Sequence, residues 1–261
     1  MPKATLTKRL EFCSSHRYHN PDWSTEKNRK VFGPCNNENT HGHNYLLEVT
    51  LQGEIDPVTG MIINLYDLKQ YLWDILIEFD HKNLNLDTPY FADRIPTTEN
   101  VALTLWNLFS KHPELPALDR IRLHEDDRLY TEICADWIHE ESSLSIASLS
   151  RRYSFSAIHR AREDQLHGHH YDLWVTFMGP IPSDTGQIIS LQPLDHIVNT
   201  HVIQRFHQRE IHRDPELDSL PITDSSLAQT ISRILTPYFQ DPPLHTLSVS
   251  QQPGTHATRI H

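Results

Sequence analysis

Apolar and polar residues alternate with period two in several short stretches of the chain, and with a helical period in two longer ones. Leu6, Leu10 and Phe12 alternate loosely with polar neighbours and predict a first strand, and residues 43–53 predict a second. Asn64 stands ahead of Leu65, Leu68, Leu72, Ile75 and Phe79, a 3.6-period stripe behind a capping residue. Thr98 and Glu99 open another helix, with Val101, Leu105, Leu108 and Phe109 as its expected buried side. Residues 121–125 and 129–133 predict two more strands joined by the turn Asp126-Asp127-Arg128. The order is β-β-α-α-β-β.

The pattern then repeats. Phe155-Ser156-Ala157-Ile158-His159 echoes Phe12-Cys13-Ser14-Ser15-His16, and His167-Gly168-His169-His170-Tyr171 echoes His41-Gly42-His43-Asn44-Tyr45. The turn Ser183-Asp184-Thr185-Gly186-Gln187-Ile188-Ile189 parallels Pro57-Val58-Thr59-Gly60-Met61-Ile62-Ile63, and a helix-like run to Phe206 follows Leu194-Asp195. Two tandem copies of one fold are expected, over residues 1–137 and 151–261. The serine-rich stretch 142–150 marks the boundary, and residues 138–150 read as a connector. Alternating Leu and Ile within it also allow a strand.

Composition narrows the classes. A chain of 261 residues with 38% hydrophobic content and a formal charge of -11 is not expected to bind nucleic acid. No run of 18 apolar residues occurs, and the start lacks a signal-peptide core, so neither a membrane span nor secretion is expected. Three cysteines at unrelated spacings suit a reducing cytoplasm better than a disulfide scaffold.

The chemistry concentrates between Cys35 and Tyr45. If Gly42 lies in a strand, His41 and His43 face the same way, because side chains alternate. Two imidazoles on one face are half of a zinc site, and His16 is the obvious third ligand. A cysteine beside such a metal can become a thiolate that acts as base or nucleophile, which makes Cys35 a candidate. Taken alone, His41 and His43 also read as surface histidines in a chain holding 19, and Cys35 as a buried structural cysteine.

The segment resembles the 6-pyruvoyl-tetrahydropterin synthase family, which has the pattern C-N-N-x-x-x-H-G-H-N-Y. The likeness continues through Gly53 to Met61, Asp80-His81-Lys82-Asn83-Leu84 and Thr97-Thr98-Glu99-Asn100-Val101-Ala102, and ends near His124-Glu125. It covers about residues 5 to 135.

The resemblance implies an α+β tunnelling fold in each half. Each would be a four-stranded antiparallel sheet with two helices that oligomerises into β-barrels, preferably as a trimer of two-domain chains. It implies a lyase that eliminates triphosphate from 7,8-dihydroneopterin triphosphate to give 6-pyruvoyl-tetrahydropterin, with Zn2+ on His16, His41 and His43 and Mg2+ accompanying the triphosphate. Cys35 would be the base, Asp80 and His81 a proton relay, and Glu125 the pterin anchor, assisted by Thr98 and Glu99. Arg17, Lys82 and Arg94 could attract the triphosphate.

The second copy keeps His159, His167 and His169 as candidate metal ligands but has no cysteine. His207-Gln208 aligns with Asp80-His81, Gln251 with Glu125 and Ser225 with Glu99. It reads as zinc-competent and catalytically silent. Two other functions remain open: 6-carboxy-tetrahydropterin synthase of the deazapurine pathway, and a non-catalytic pterin-binding or scaffolding protein.

Overall fold

The computed structural model describes residues 2–138, 145–160, 165–217, 221–252 and 257–261. The chain divides into two compact units, Met1–Leu149 with Gly179–Ile188, and Ser150–Met178 with Ile189–His261. Both are α+β.

In the first unit, β1 (Lys3–His16) and β2 (His41–Glu54) pair antiparallel in one unbroken register. Strands β4 (Ala117–Asp126) and β5 (Leu129–Cys134) extend the sheet beyond β2, and the two-residue β3 (Lys82–Asn83) runs parallel to the outer edge of β1. Alternation does what the sequence pattern predicts: Leu10, Phe12, Tyr45, Leu47, Ile121 and Leu123 are buried on one face. Phe12 and Tyr45 sit opposite each other and stack with ring centroids 4.9 Å apart.

Helices α2 (Leu65–Leu76) and α3 (Thr98–Phe109) supply the other half of the core through Leu68, Leu72, Leu76, Val101, Leu105 and Phe109. Asn64 caps α2 as expected, accepting from Tyr66 N, and α3 starts at Thr98 as expected, capped by Thr97, which accepts from Asn100 N. Leu65, expected inside, is exposed. A helix not expected from the pattern, α1 (Thr25–Phe32), stands between β1 and β2.

The second unit repeats the plan with β6 (Ile146–Arg160), β7 (Leu166–Pro180), β8 (Leu244–Gln251) and β9 (Ala257–Ile260) in that spatial order. The counterpart of α2 is α4 (Leu191–Val198), prolonged by a π-helical turn (Asn199–Ile203) and a last turn, α5 (Gln204–Phe206). The counterpart of α3 is α6 (Asp224–Leu235), capped by Thr223. Residues 146–150 of the serine-rich stretch belong to β6, so there the strand alternative holds. Residues 142–144 lie outside the described residues.

Candidate metal centre and its surroundings

His16 ends β1 and pairs with His41 at the start of β2, while His43 pairs with Ser14. The three imidazoles therefore project from the same face of two neighbouring strands. Their ring centroids lie 4.6, 4.9 and 5.0 Å apart, and one nitrogen from each falls within 4.8 Å of the others. His16 Nε2 is 3.2 Å from His41 Nε2. Two like lone pairs so close have a motive to share a cation.

The surroundings orient this triad. His16 is fully buried, and its Nδ1–H donates to Pro96 O at 2.8 Å, which turns Nε2 towards the other two rings. Burial is the main reason the His16 pKa falls to about 4, with neighbouring His41 and His43 adding to the fall against the opposing pull of Glu125. His41 is lowered as well, by burial and then by His43. Neutral imidazole is the ligating form. The His41 Nδ1 and His43 Nε2 atoms are buried without a hydrogen-bond partner. Converging imidazoles with one fixed tautomer and unpartnered nitrogens fit a metal ion, and three imidazoles suit zinc.

Glu125 stands beside the triad. The register of β4 on β5 slips at this residue, between His124 and Asp126, yet its side chain stays on the inner face. Tyr18 Oη donates to Glu125 Oε2 at 3.0 Å, and Thr98 Oγ1 donates to the same oxygen. The other oxygen lies 3.6 Å from His43 Nε2. Burial pushes the carboxyl up, but the imidazoles of His16 and His43 and the two hydroxyl donors outweigh it and hold it below its ordinary value. It is a buried anion.

Cys35 reaches the same place from the loop after α1. Phe32, Tyr18 and Ile95 form a small buried cluster, with Trp23, Val31 and Cys35 packed against it. Cys35 O accepts from Tyr18 N at 2.8 Å, and Asn36 Nδ2 donates to Tyr18 O at 2.6 Å, which straps the loop to the chain beyond β1. Burial, Glu125 and then Cys35 raise Tyr18 and Tyr45 well above the usual phenol value, so the thiol lies within electrostatic reach of both hydroxyls. Tyr45 Oη is also 3.2 Å from His16 Nδ1. Neither tyrosine was foreseen from sequence, although Tyr45 continues the alternation of His41 and His43.

Asp80 and His81 go elsewhere. Asp80 Oδ1 accepts from Cys13 N at 2.9 Å, its Oδ2 accepts from His81 Nδ1 at 2.7 Å, and His81 N donates to Cys13 O. His81 is 80% exposed and lines a cavity with Cys13, Ser15 and Asn44, which alternate out of phase with the triad, and with His43 of the triad itself. The pair is an oriented imidazole on the outer side of β1, not a neighbour of Glu125. Glu99 is buried, with Oε1 accepting from Ile188 N at 3.1 Å. Lys82 lies beside His81, Arg94 is beside Asp93, and Arg17 holds its Nε buried without a partner.

The second unit reproduces the frame with different chemistry. His159, His167 and His169 bring their ligand atoms within 4.8 Å of one another, and His159 Nε2 is buried without a partner. Ser156 N donates to His207 Nδ1 and Gln208 N to Ser156 O, matching the two bonds that tie Asp80 and His81 to Cys13; φ is 57° at Gln208 and 58° at His81. Gln251 Nε2 donates to Asp224 Oδ1 at 2.9 Å, at the positions of Glu125 and Thr98.

The model of the family described as 6-pyruvoyl tetrahydropterin synthase matches the chain twice, over residues 5–136 and 148–260. Human 6-pyruvoyl tetrahydrobiopterin synthase is 47% identical over 126 residues, which are 48% of this chain and 87% of that protein. A putative 6-carboxy-5,6,7,8-tetrahydropterin synthase of Archaeoglobus fulgidus is 33% identical over 94 residues, 36% of this chain and 74% of that protein. The solved structure of Caenorhabditis elegans 6-pyruvoyl tetrahydropterin synthase is 36% identical and covers 49% of this chain and 91% of its own, with a TM-score of 0.47.

Proposed function

The chain belongs to the 6-pyruvoyl tetrahydropterin synthase family, and from that premise we propose that its first repeat converts 7,8-dihydroneopterin triphosphate to 6-pyruvoyl-tetrahydropterin with elimination of triphosphate. The observation that carries this reading is the grouping of three metal-competent imidazoles on one face of β1 and β2 beside the buried carboxylate of Glu125, with Cys35 packed against Tyr18, whose hydroxyl donates to that carboxylate.

Glu125 accepts from the ring amino group and the adjacent N–H of the pterin; a carboxylate has lone pairs to spare beyond those used by Tyr18 and Thr98. Zinc on His16, His41 and His43 would supply Lewis-acid polarisation of the side-chain hydroxyls, which acidifies the neighbouring C–H bonds. Cys35, as thiolate, removes a proton from the side chain of the bound substrate. The hydrogens lost by the side-chain carbinol carbons are redistributed within the molecule, the side chain being oxidised as the ring is reduced, so that no external reductant is needed. Triphosphate leaves as the C–O bond breaks, with Mg2+ accompanying its charge. Thr98 holds Glu125 in place, and Glu99 fixes the start of the helix that carries Thr98. Asp80 and His81 are left out of this step, because within one chain they face the outer side of β1.

The second repeat, with Gln251 for Glu125, Asp224 for Thr98 and no cysteine, is read as metal-competent and catalytically silent. We assign residues 1–137 to the working domain and 151–261 to the silent one, joined by the connector 138–150, whose last five residues already form the start of β6. A trimer of two-domain chains in the cytoplasm is expected; the three free cysteines suit a reducing compartment, and no helix among the described residues is long and apolar enough to cross a membrane.

Mass spectrometry of the products made by zinc-loaded protein from dihydroneopterin triphosphate tests the reading. Triphosphate with a pyruvoyl-pterin is the expected result. A carboxy-pterin with acetaldehyde would move the chain to the sister activity, which the Archaeoglobus relative represents at lower identity. Retained pterin without turnover would make it a binding module.

A further inference from the structure

The turn Thr-Gly-x-Ile-Ile occurs twice in the chain, at residues 59–63 and 185–189. Both glycines take the left-handed conformation, with φ 70° at Gly60 and 69° at Gly186, and each donates its N–H at 2.8 Å to close the turn, to Asp56 O or Pro182 O. The residue after the glycine is Met61 in one turn and Gln187 in the other. Met61 is exposed and Gln187 is buried.

The Gly186 turn comes from the second repeat in sequence but belongs to the first compact unit. It is seated on the start of α3. Thr97 Oγ1 donates to Gly186 O at 2.7 Å, and Ile188 N donates to Glu99 Oε1 at 3.1 Å. The residues flanking Gln187 are thus bonded to the residues flanking Thr98. Thr98 in turn donates to Glu125, the buried carboxylate beside the imidazoles. The seat is tight: a Cβ on Gly186 would fall 2.5 Å from Asn100 Nδ2.

The backbone of Gln187 is satisfied at this seat. Its N–H donates to Thr185 Oγ1 at 3.2 Å, and its carbonyl accepts from the same hydroxyl at 3.3 Å. Its side chain is not. Gln187 is only 7% exposed, and its amide oxygen Oε1 is buried without a hydrogen-bond partner. A buried acceptor with no donor destabilises the folded chain. Methionine, the residue of the first turn, would fill a similar volume without that penalty. A ligand that brings the missing donor gives the amide a reason to be there.

We infer that Gln187 is a specificity-determining residue of the first repeat's site, its amide binding the amino-bearing edge of the pterin ring. This rests on the reading of that site as a pterin site. Glu125 takes the ring N–H and one of the two amino N–H groups. The second amino N–H and the ring nitrogen next to it, an acceptor, are left over. A carboxamide is complementary to that pair, because its oxygen accepts from the amino group while its Nε2 donates to the ring nitrogen. Glu99, the other buried acceptor at this helix start, is already engaged by Ile188 N, by its own N–H and by Thr97. The repeat that has neither the thiol nor the anchoring glutamate therefore still supplies a contact to the substrate.

Fluorescence titration of the full chain with 7,8-dihydroneopterin, which carries the ring without the triphosphate, tests the inference. Gln187→Met should bind it about 10-fold more weakly than wild type, the scale of one lost hydrogen bond. Its melting temperature should not fall, because an unsatisfied amide has been removed. In turnover, KM should rise with kcat near its wild-type value, the pattern of a binding contact. Wild type should also reject the analogue methylated on the amino group, and Gln187→Met should lose most of that discrimination. Glu125→Gln is the control for the underlying reading. If it binds dihydroneopterin as wild type does, the pterin site is misassigned and the inference falls with it. If Glu125→Gln binds weakly and Gln187→Met binds like wild type, the inference alone is overturned. A Gln187→Met chain that melts well below wild type would overturn it too, since the amide would then be satisfied within the protein.

Discussion

The Gln251 amide donates to Asp224 at 2.9 Å, and the direction of this bond is the reverse of its counterpart in the first repeat, where Thr98 donates to Glu125. An acceptor and a donor have changed places within one frame. Gln251→Glu should therefore set two carboxylates against each other at a buried position, and cost about 1–3 kcal/mol of stability in urea unfolding. Adding Asp224→Thr restores the arrangement of the first repeat and should recover most of the loss. A single variant as stable as wild type would show that the reversed bond contributes nothing.

Two triads of equal compactness predict two metal ions per chain. Metal analysis after dialysis should find two in wild type, one in His41→Ala and one in His167→Ala. Chelation should also lower the melting temperature, since an ion bound only by the folded state stabilises it by mass action. A count of one in wild type, unchanged by His167→Ala, would remove the metal from the second repeat.

Cys35 is half-buried at the margin of the Tyr18, Phe32 and Ile95 cluster, so Cys35→Ala leaves most of that packing intact. Stability should change by less than about 1 kcal/mol, while turnover should fall at least ~100-fold, the scale of a lost general base. Retained binding of the dihydropterin, followed by fluorescence, separates loss of chemistry from loss of the pocket. Unimpaired turnover would take the thiol out of the mechanism.

The strands and the triad were legible because both follow from period-two alternation: once residues 41–45 form a strand, His41 and His43 must share a face. The cap at Asn64 and the helix start at Thr98 were equally plain. Helix α1 was not, although Ser24 caps it, because its buried face carries Asn28, whose side chain bonds Asn20 N and O. A polar residue satisfied by backbone looks like surface in a hydrophobicity pattern. Asp80 and His81 were grouped with Cys35 by resemblance, but alternation along β1 sets Cys13, their anchor, on the opposite face from His16. The partner of Glu99 was beyond reach for another reason: Ile188 lies 89 residues away in sequence, and no local pattern encodes that meeting.

That meeting has a pH signature. Burial first, with the Glu125 charge adding to it, raises Glu99 to about 7 from an ordinary 4.5, against the opposing hydrogen bonds from its own N–H, Ile188 N and Thr97. A carboxyl whose folded value lies above its unfolded value holds its proton longer when folded. Below pH 4.5 both states are protonated and the folded state bears no penalty. As pH rises from there towards 7, the unfolded chain releases its proton first, so stability falls, and above 7 the whole cost is present. Glu99→Gln keeps an oxygen to accept from Ile188 N and removes the ionisation. Its stability relative to wild type should be near zero at pH 4.5 and grow to on the order of 2–3 kcal/mol above pH 7. Taking the difference between the two proteins cancels the opposite trend from His16 and His41, whose lowered values cost stability as pH falls below 6.5. Urea unfolding of both proteins across pH 4.5 to 8 checks it, and a difference that stays constant would mean that Glu99 does not titrate in this range.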